Sequence, residues 1–208
     1  RAGKKLVWTL NVPYLPEAIK AVVRGPYTVK FPFGPTVDTG TYRGATVWDE
    51  DTCIGCGACY EVCPPDAITM EDDTEASPPV RRFSLDYGRC IFCGHCHYNC
   101  TTDDGIYQTA EFDLACFDRH ESYTTVEKEL LLCDNCEEVI APKDHLRWVA
   151  EKVGAKAYSN PSLALTLEGD LISAPQPTAV PREEMDREDY MRVLCPHCRR
   201  VVVFNEVL

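Results

Sequence analysis

The sequence predicts an α+β fold, and three observations predict it. A cysteine-bearing segment occurs twice, short strand-like runs flank each copy, and two C-x2-C turns stand in the C-terminal third. "CIGCGACYEVCPP" at residues 53–65 is followed by "CIFCGHCHYNC" at 90–100. A shift of 37 positions lays Cys53, Ile54, Cys56, Gly57, Cys59 and Cys63 on Cys90, Ile91, Cys93, Gly94, Cys96 and Cys100. One inserted residue then brings Ile68 opposite Ile106. Each copy therefore reads as a strand, a glycine-containing cysteine loop, one or two helical turns near the fourth cysteine, and a second strand. The strands are expected around Ala45–Trp48 and Ala67–Met70 in the first copy, and around Arg82–Leu85 and Ile106–Thr109 in the second.

Composition bounds the setting. The chain has 208 residues, enough for one medium domain or two small ones, and 13 of them are cysteine. Residues 1–5, Arg-Ala-Gly-Lys-Lys, open into a short mixed segment rather than a long apolar run, so no secretory leader is expected. A reducing compartment then favours metal ligation over a disulfide framework. The longest apolar stretches, near Leu163–Leu167 and Val201–Phe204, fall far short of the roughly 20 residues that span a bilayer. Net charge is −12, which argues against nucleic acid as a partner. The charge is uneven, because residues 1–30 carry six basic side chains against one acid, Glu17.

Three regions follow. Residues 1–44 form an N-terminal arm whose Pro-rich stretch at 25–36 cannot sustain a helix. Tyr14–Arg24 is the exception, with Leu15, Ala18, Ile19, Val22 and Val23 at helical spacing, Pro16 in the first turn and Gly25-Pro26 as the stop. Its basic surroundings suit docking on a larger partner at a membrane surface. Residues 45–123 hold the two cysteine runs. Residues 124–208 hold the C-x2-C pairs, separated by a 155–190 insertion whose part at 174–189 reads as a proline-punctuated, charged loop.

The spacing carries chemistry. A [4Fe–4S] cube needs one thiolate for each of its four irons, and C-x2-C-x2-C wraps three of them in one compact loop. Zinc is the plainer alternative, but zinc sites pair two C-x2-C knuckles and do not ask for this pitch twice. Residues 45–112 resemble the bacterial-type two-cluster ferredoxin family, in which the last cysteine of each run ligates the other cluster. That resemblance implies a ferredoxin-like domain with a pseudo-twofold internal repeat and two [4Fe–4S] clusters. Cys53, Cys56, Cys59 and Cys100 would hold cluster 1, and Cys90, Cys93, Cys96 and Cys63 cluster 2. The first run matches the family motif through Pro64, whereas the second has Thr101 where the family usually has proline.

A wider likeness covers most of the chain. The step Tyr42-Arg43-Gly44, the cysteine core, "AEFDLACFDR" at 110–119 and the C-terminal knuckles are together similar to the iron–sulfur subunit of formate hydrogenlyase and related membrane-bound, complex I-like [NiFe] hydrogenases. This implies an electron-transfer subunit, not a self-sufficient enzyme. Its partners would be the hydrogenase catalytic and small subunits and an electron-donating oxidoreductase, formate dehydrogenase in that family. The chain would sit on the cytoplasmic face of the membrane, held there through those partners. The alternative is a freely diffusing two-cluster carrier with a zinc-ribbon interaction module.

At the C-terminus, Cys133, Cys136, Cys195 and Cys198 make two knuckles suited to a tetrahedral S4 site for zinc or a single iron, a rubredoxin-like or zinc-ribbon module. Zinc is favoured because Glu137 and Arg199 follow the knuckles where iron sites of this kind usually place glycine. Leu130–Leu132 and Val201–Phe204 would form the ribbon's small sheet. His95 and His97 read as solvent-facing loop residues, and Cys116 as a small buried hydrophobe. No dinucleotide-binding glycine turn and no Ser/His/Asp pattern is present.

Overall fold

The computed structural model describes residues 14–28, 30, 33–34, 41–168 and 179–204. The chain falls into two compact units, Arg1–Gly40 and Thr41–Leu208. In the first, the predicted helix forms as α1 (Leu15–Arg24), with Pro16 in its first turn and Gly25 at its end in the left-handed region, φ +77°. Leu15, Ile19, Val22 and Val23 are exposed. The rest of the predicted arm lies largely outside the described residues.

In the second unit the two cysteine copies are interleaved. The first contributes β1 (Thr46–Trp48), the four-residue helix α2 (Ala58–Glu61) and β2 (Ile68–Asp73). The second contributes β3 (Val80–Asp86), α3 (His95–Tyr98) and β4 (Ile106–Gln108). β1 pairs antiparallel with β4, Thr46 opposite Gln108, and β2 pairs antiparallel with β3, Ile68 opposite Leu85. The outer strands of the two copies thus meet, and so do the inner ones. Matching positions share unusual backbone: Gly55 and Phe92, Gly57 and Gly94, and Asp66 and Asp103 all have positive φ. A core of Cys59, Ala67, Ile68, Phe83, Leu85, Ile106 and Val126 lies between the copies.

Gly44 explains its place before β1. Its N–H bonds to Thr109 O at 2.8 Å, and a Cβ there would stand 2.0 Å from Glu111 O. No side chain fits unless that backbone moves.

The long strand β5 (Tyr123–Leu132) ties the cysteine core to the C-terminal region. Tyr123–Glu129 pair with β3, and Leu130–Leu132 pair with β6 (Val139–Pro142), completing a sheet of order β2-β3-β5-β6. Val126, Lys128 and Leu130 alternate inward, and Cys133 follows the strand directly. Helix α4 (Lys143–Val153) comes next.

The region predicted as an insertion loop is in part helical. A 3-10 helix covers Gly154–Ser159, α5 covers Pro161–Glu168, and 3-10 turns cover Arg182–Glu184 and Arg187–Met191, while residues 169–178 lie outside the described residues. Asn160-Pro161 signals the start of α5: Asn160 Oδ1 accepts from Ser162 N at 3.0 Å, and proline occupies the first turn. The segment shows no clear apolar stripe, so periodicity gave no sign of it.

Val201–Phe204 is also helical, not a strand. It ends α6 (Pro196–Phe204), which Pro196 opens and whose Cys198, Val201 and Val202 face a second core with Cys133, Met185, Leu194 and Cys195. A cysteine needed inside the first turn set the helical period, and it placed two valines on the buried face. No helix among the described residues is long and apolar enough to cross a membrane.

Leu130 is 1% exposed and stands where β5 passes from one partner strand to the other. Leu130→Ala is expected to lower the melting temperature by about 5–15 °C, from a core-truncation cost of about 2–5 kcal/mol. An unchanged melting curve would show that this junction does not hold the sheet together.

Candidate metal centres

The loops between these strands close around two hollows. Cys53, Cys56, Cys59 and Cys100 line the first, with Trp48 and Phe83 in its wall. Cys63, Cys90, Cys93 and Cys96 line the second, with Thr46 and Leu85. Each hollow therefore collects three cysteines of one run and the last of the other. Left-handed glycines at 57 and 94 sit at the N-termini of α2 and α3, where they turn each third cysteine inward. Phe92 adopts the left-handed conformation of its counterpart Gly55, and its ring stacks on Tyr87 at 6.4 Å.

The thiols are held in apolar surroundings. Burial pushes Cys59 up to about 12, with the Trp48 N–H opposing it and the Cys53, Cys56 and Cys96 sulfurs adding to it. Burial likewise pushes Cys96 up to about 11 and raises Cys53 and Cys90. Without metal these groups stay protonated at neutral pH, so ligation expels their protons and the metal supplies the positive charge that thiolates need there.

The donor set fits an iron–sulfur cluster. Gly105 borders the first hollow, and a Cβ on it would lie 2.7 Å from Thr102 Oγ1 and 3.2 Å from Cys100 Sγ. Trp48 Nε1 and Thr46 Oγ1 are buried without a hydrogen-bond partner. Trp48 faces Cys59 and Thr46 faces Cys90. Orphaned donors aimed at sulfur in both hollows match the needs of cluster thiolates and sulfides. Further donors reach individual sulfurs. Thr101 Oγ1 lies 3.2 Å from Cys56 Sγ and Thr102 Oγ1 lies 3.5 Å from Cys100 Sγ. Ala67 N–H donates to Cys63 Sγ at 3.3 Å, and Phe92 N–H to Cys90 Sγ at 3.4 Å.

β5 also shapes the first hollow. The Lys128 stem and Pro142 pack on Gly55, where a Cβ would lie 3.1 Å from each at φ +70°, so glycine fits this tight, left-handed position best. Lys128 Nζ is held by Glu50 O and, at 3.2 Å, by Asp144 Oδ2. Arg81 forks onto Asp72 at 2.6 and 2.7 Å and reaches Gly55 O at 3.4 Å.

The C-terminal thiols converge separately. The sulfurs of Cys133, Cys136, Cys195 and Cys198 all lie within 4.8 Å of one another, Cys136 and Cys195 at 3.6 Å. A tetrahedral ion with bonds of about 2.3 Å to sulfur sets its ligands roughly 3.8 Å apart, so the four fit one metal ion. Glu137 takes φ +58°, the conformation that glycine favours, and closes the first knuckle through its N–H to Cys133 O at 3.0 Å. Asn135 steadies the site from within: its amide donates to Met185 Sδ at 3.4 Å and accepts from Val180 N at 2.9 Å.

Two single-residue expectations divide. His95 and His97 are exposed, as predicted, though they lie on α3 rather than in a loop, whereas Cys116 is exposed rather than buried. It lies in a stretch outside the helices and strands and lines an open groove with Phe112 and Phe117. The motif did not reveal Trp48, Thr46, Lys128 or Asn135, because none stands at a ligand spacing. Only the Thr101 departure from the proline pattern marked a position of interest in advance.

Gly105→Val places a branched side chain into the first hollow. The purified chain is expected to carry about four irons in place of about eight. Full iron content would show that the hollow is not a cluster site.

Comparison with known proteins agrees with this geometry. The family model of a 4Fe-4S dicluster domain matches residues 52–103. The NAD(P)H-quinone oxidoreductase subunit I of Gloeobacter violaceus is 34% identical over 101 residues, 47% of this chain and 48% of that one. NADH-quinone oxidoreductase subunit I 2 of Geobacter metallireducens is 32% identical over 119 residues, 54% of this chain and 89% of that one. The chain thus spans about half the length of several relatives it matches, and most of the length of the Geobacter protein. Among solved structures, a chain of the membrane-bound sulfane sulfur reductase, an archaeal respiratory membrane complex, is 27% identical with a TM-score of 0.39, over 59% of this chain and 61% of that one. With a dicluster domain in place and a subunit I relative covered nearly from end to end, the chain belongs to the subunit I family of NADH-quinone oxidoreductases.

Proposed function

We propose that the chain is the electron-relay subunit of a membrane-bound, complex I-like [NiFe] hydrogenase of the formate hydrogenlyase type. The observation that carries the relay is the pair of four-cysteine hollows flanking one dry core, with Cys59 of one close enough to feel Cys96 of the other. Clusters bound there take up and release single electrons. The protein holds them with thiolates, excludes water with Phe83, Leu85 and Ile106, and orients donors towards sulfur. Cys53, Cys56, Cys59 and Cys100 ligate cluster 1, and Cys90, Cys93, Cys96 and Cys63 ligate cluster 2, in two units related by an approximate twofold.

The hydrogenase reading draws on the C-terminal four-cysteine module that follows the dicluster core, together with the Tyr42-Arg43-Gly44 entry and the stretch at 110–119. In it residues 1–44 dock the subunit, residues 45–123 carry electrons, and residues 124–208 brace the assembly around one zinc. The partners are the hydrogenase catalytic and small subunits and an electron-donating dehydrogenase, at the cytoplasmic face of the membrane. The exposed apolar residues of α1 suit the docking role.

Three outcomes test this reading. Cys63→Ala is expected to perturb the same EPR signal as Cys93→Ala, and Cys100→Ala the same signal as Cys56→Ala; pairing within each run would refute crossed ligation. Metal analysis is expected to find about one zinc beside about eight irons, and Cys195→Ser to lose the zinc without altering the cluster signals. A ninth iron with a high-spin ferric signal would make the C-terminal site part of the electron path. In native extract the chain is expected to elute in a large assembly with hydrogenase subunits. Elution near its own mass of 23.4 kDa would identify a free carrier instead.

A further inference from the structure

The two hollows are built by one repeat, so differences at matching positions show where they are made unlike. β1 serves both: Thr46 and Trp48 stand two residues apart, one facing a cysteine of the second hollow and the other a cysteine of the first. Main-chain amides reach sulfur in both hollows as well: Gly55 N–H at Cys53 in the first, and in the second its counterpart Phe92 N–H at Cys90, Ala67 N–H at Cys63 at 3.3 Å and His97 N–H at Cys96. Nearby charge does not separate them clearly. Lys128 and Arg81 beside the first hollow are each matched by a carboxylate, and beside the second Arg43 donates to Cys93 O at 2.8 Å.

The turn after the fourth cysteine does separate them. After Cys63 it reads Pro64-Pro65, and both prolines line the second hollow without any N–H or O–H to offer. After Cys100 the same two positions are Thr101-Thr102. Their hydroxyls lie 3.2 Å from Cys56 Sγ and 3.5 Å from Cys100 Sγ, two of the four sulfurs of the first hollow. Since a metal-bound thiolate carries no proton, each hydroxyl is the donor in the loaded protein. A hydrogen bond to a ligating sulfur withdraws electron density and favours the reduced cluster, whose sulfurs carry more negative charge.

We propose that Thr101 and Thr102 raise the reduction potential of the cluster held by Cys53, Cys56, Cys59 and Cys100. The proposal rests on the crossed ligand assignment. Thr101 and Thr102 are tuning residues that act on the cluster through its cysteine sulfurs.

The test is an EPR-monitored redox titration of the full, cluster-loaded chain. Thr101→Val and Thr102→Val each keep shape and remove the hydroxyl. Each is expected to lower the reduction equilibrium constant of one cluster about threefold to tenfold, or about 30–60 mV at 59 mV per tenfold, and to leave the other unmoved. Thr101→Ser, which retains the hydroxyl, is expected to keep the wild-type midpoint. Midpoints unchanged in both valine variants, with all eight or so irons retained, would overturn the tuning role and leave the ligand assignment standing. A selective shift in the cluster whose signal Cys63→Ala perturbs would overturn the assignment itself, and the proposal with it.

Discussion

The exchange of the fourth cysteine between the two runs is the constraint from which the rest of the structure follows. A tight C-x2-C-x2-C loop cannot fold its own last cysteine back onto the hollow it forms, so Cys63 and Cys100 each lie at the other copy's hollow. Neither copy can then complete its surroundings alone. The copies must interleave, β1 with β4 and β2 with β3, and their apolar faces merge into one core. The cavities and the fold are the same object: Phe83, Leu85 and Ile106 are each 1% exposed, and each also lines a hollow.

Burial works in two directions around these hollows. It makes a free thiolate costly, as the raised Cys59 and Cys96 show, so that a chain without its metal keeps neutral thiols in an apolar cavity. It also strengthens each donor that points at sulfur, because little water competes. Trp48 Nε1 and Thr46 Oγ1 have no other hydrogen-bond partner, and their placement suits donation to a metal-bound sulfur. The same economy of donors recurs in the C-terminal site, where Asn135 uses both ends of its amide to hold the loop around the cysteines.

β5 couples the two cysteine-lined regions mechanically. Its outer pairing with β3 closes the cluster core, its inward Lys128 packs on Gly55 beside Cys56, and its end delivers Cys133 to the second site. The alternation of a strand allows one segment to do this, since inward residues recur every second position while the chain advances about 3.3 Å per residue. A disturbance at the C-terminal four-cysteine site therefore has a direct covalent route to the wall of the first hollow.

Much of this was legible in the residues themselves. The 37-residue repeat, the four strands beside it, the helix at 14–24 and the four C-terminal cysteines can all be read from spacing, because metal ligation and glycine turns tie function to sequence position. Tertiary structure decided what spacing cannot encode. Val201–Phe204 became helical because Cys198 had to sit inside a turn, and the 155–190 segment became partly helical through an Asn-Pro cap with no apolar stripe to announce it. Tertiary structure alone also brought Trp48, Thr46 and Lys128 to the hollows, and set Thr101 against a sulfur 45 residues earlier in the chain. Ligands declare themselves by type and interval, whereas the groups that tune them are chosen by where the fold happens to aim a side chain.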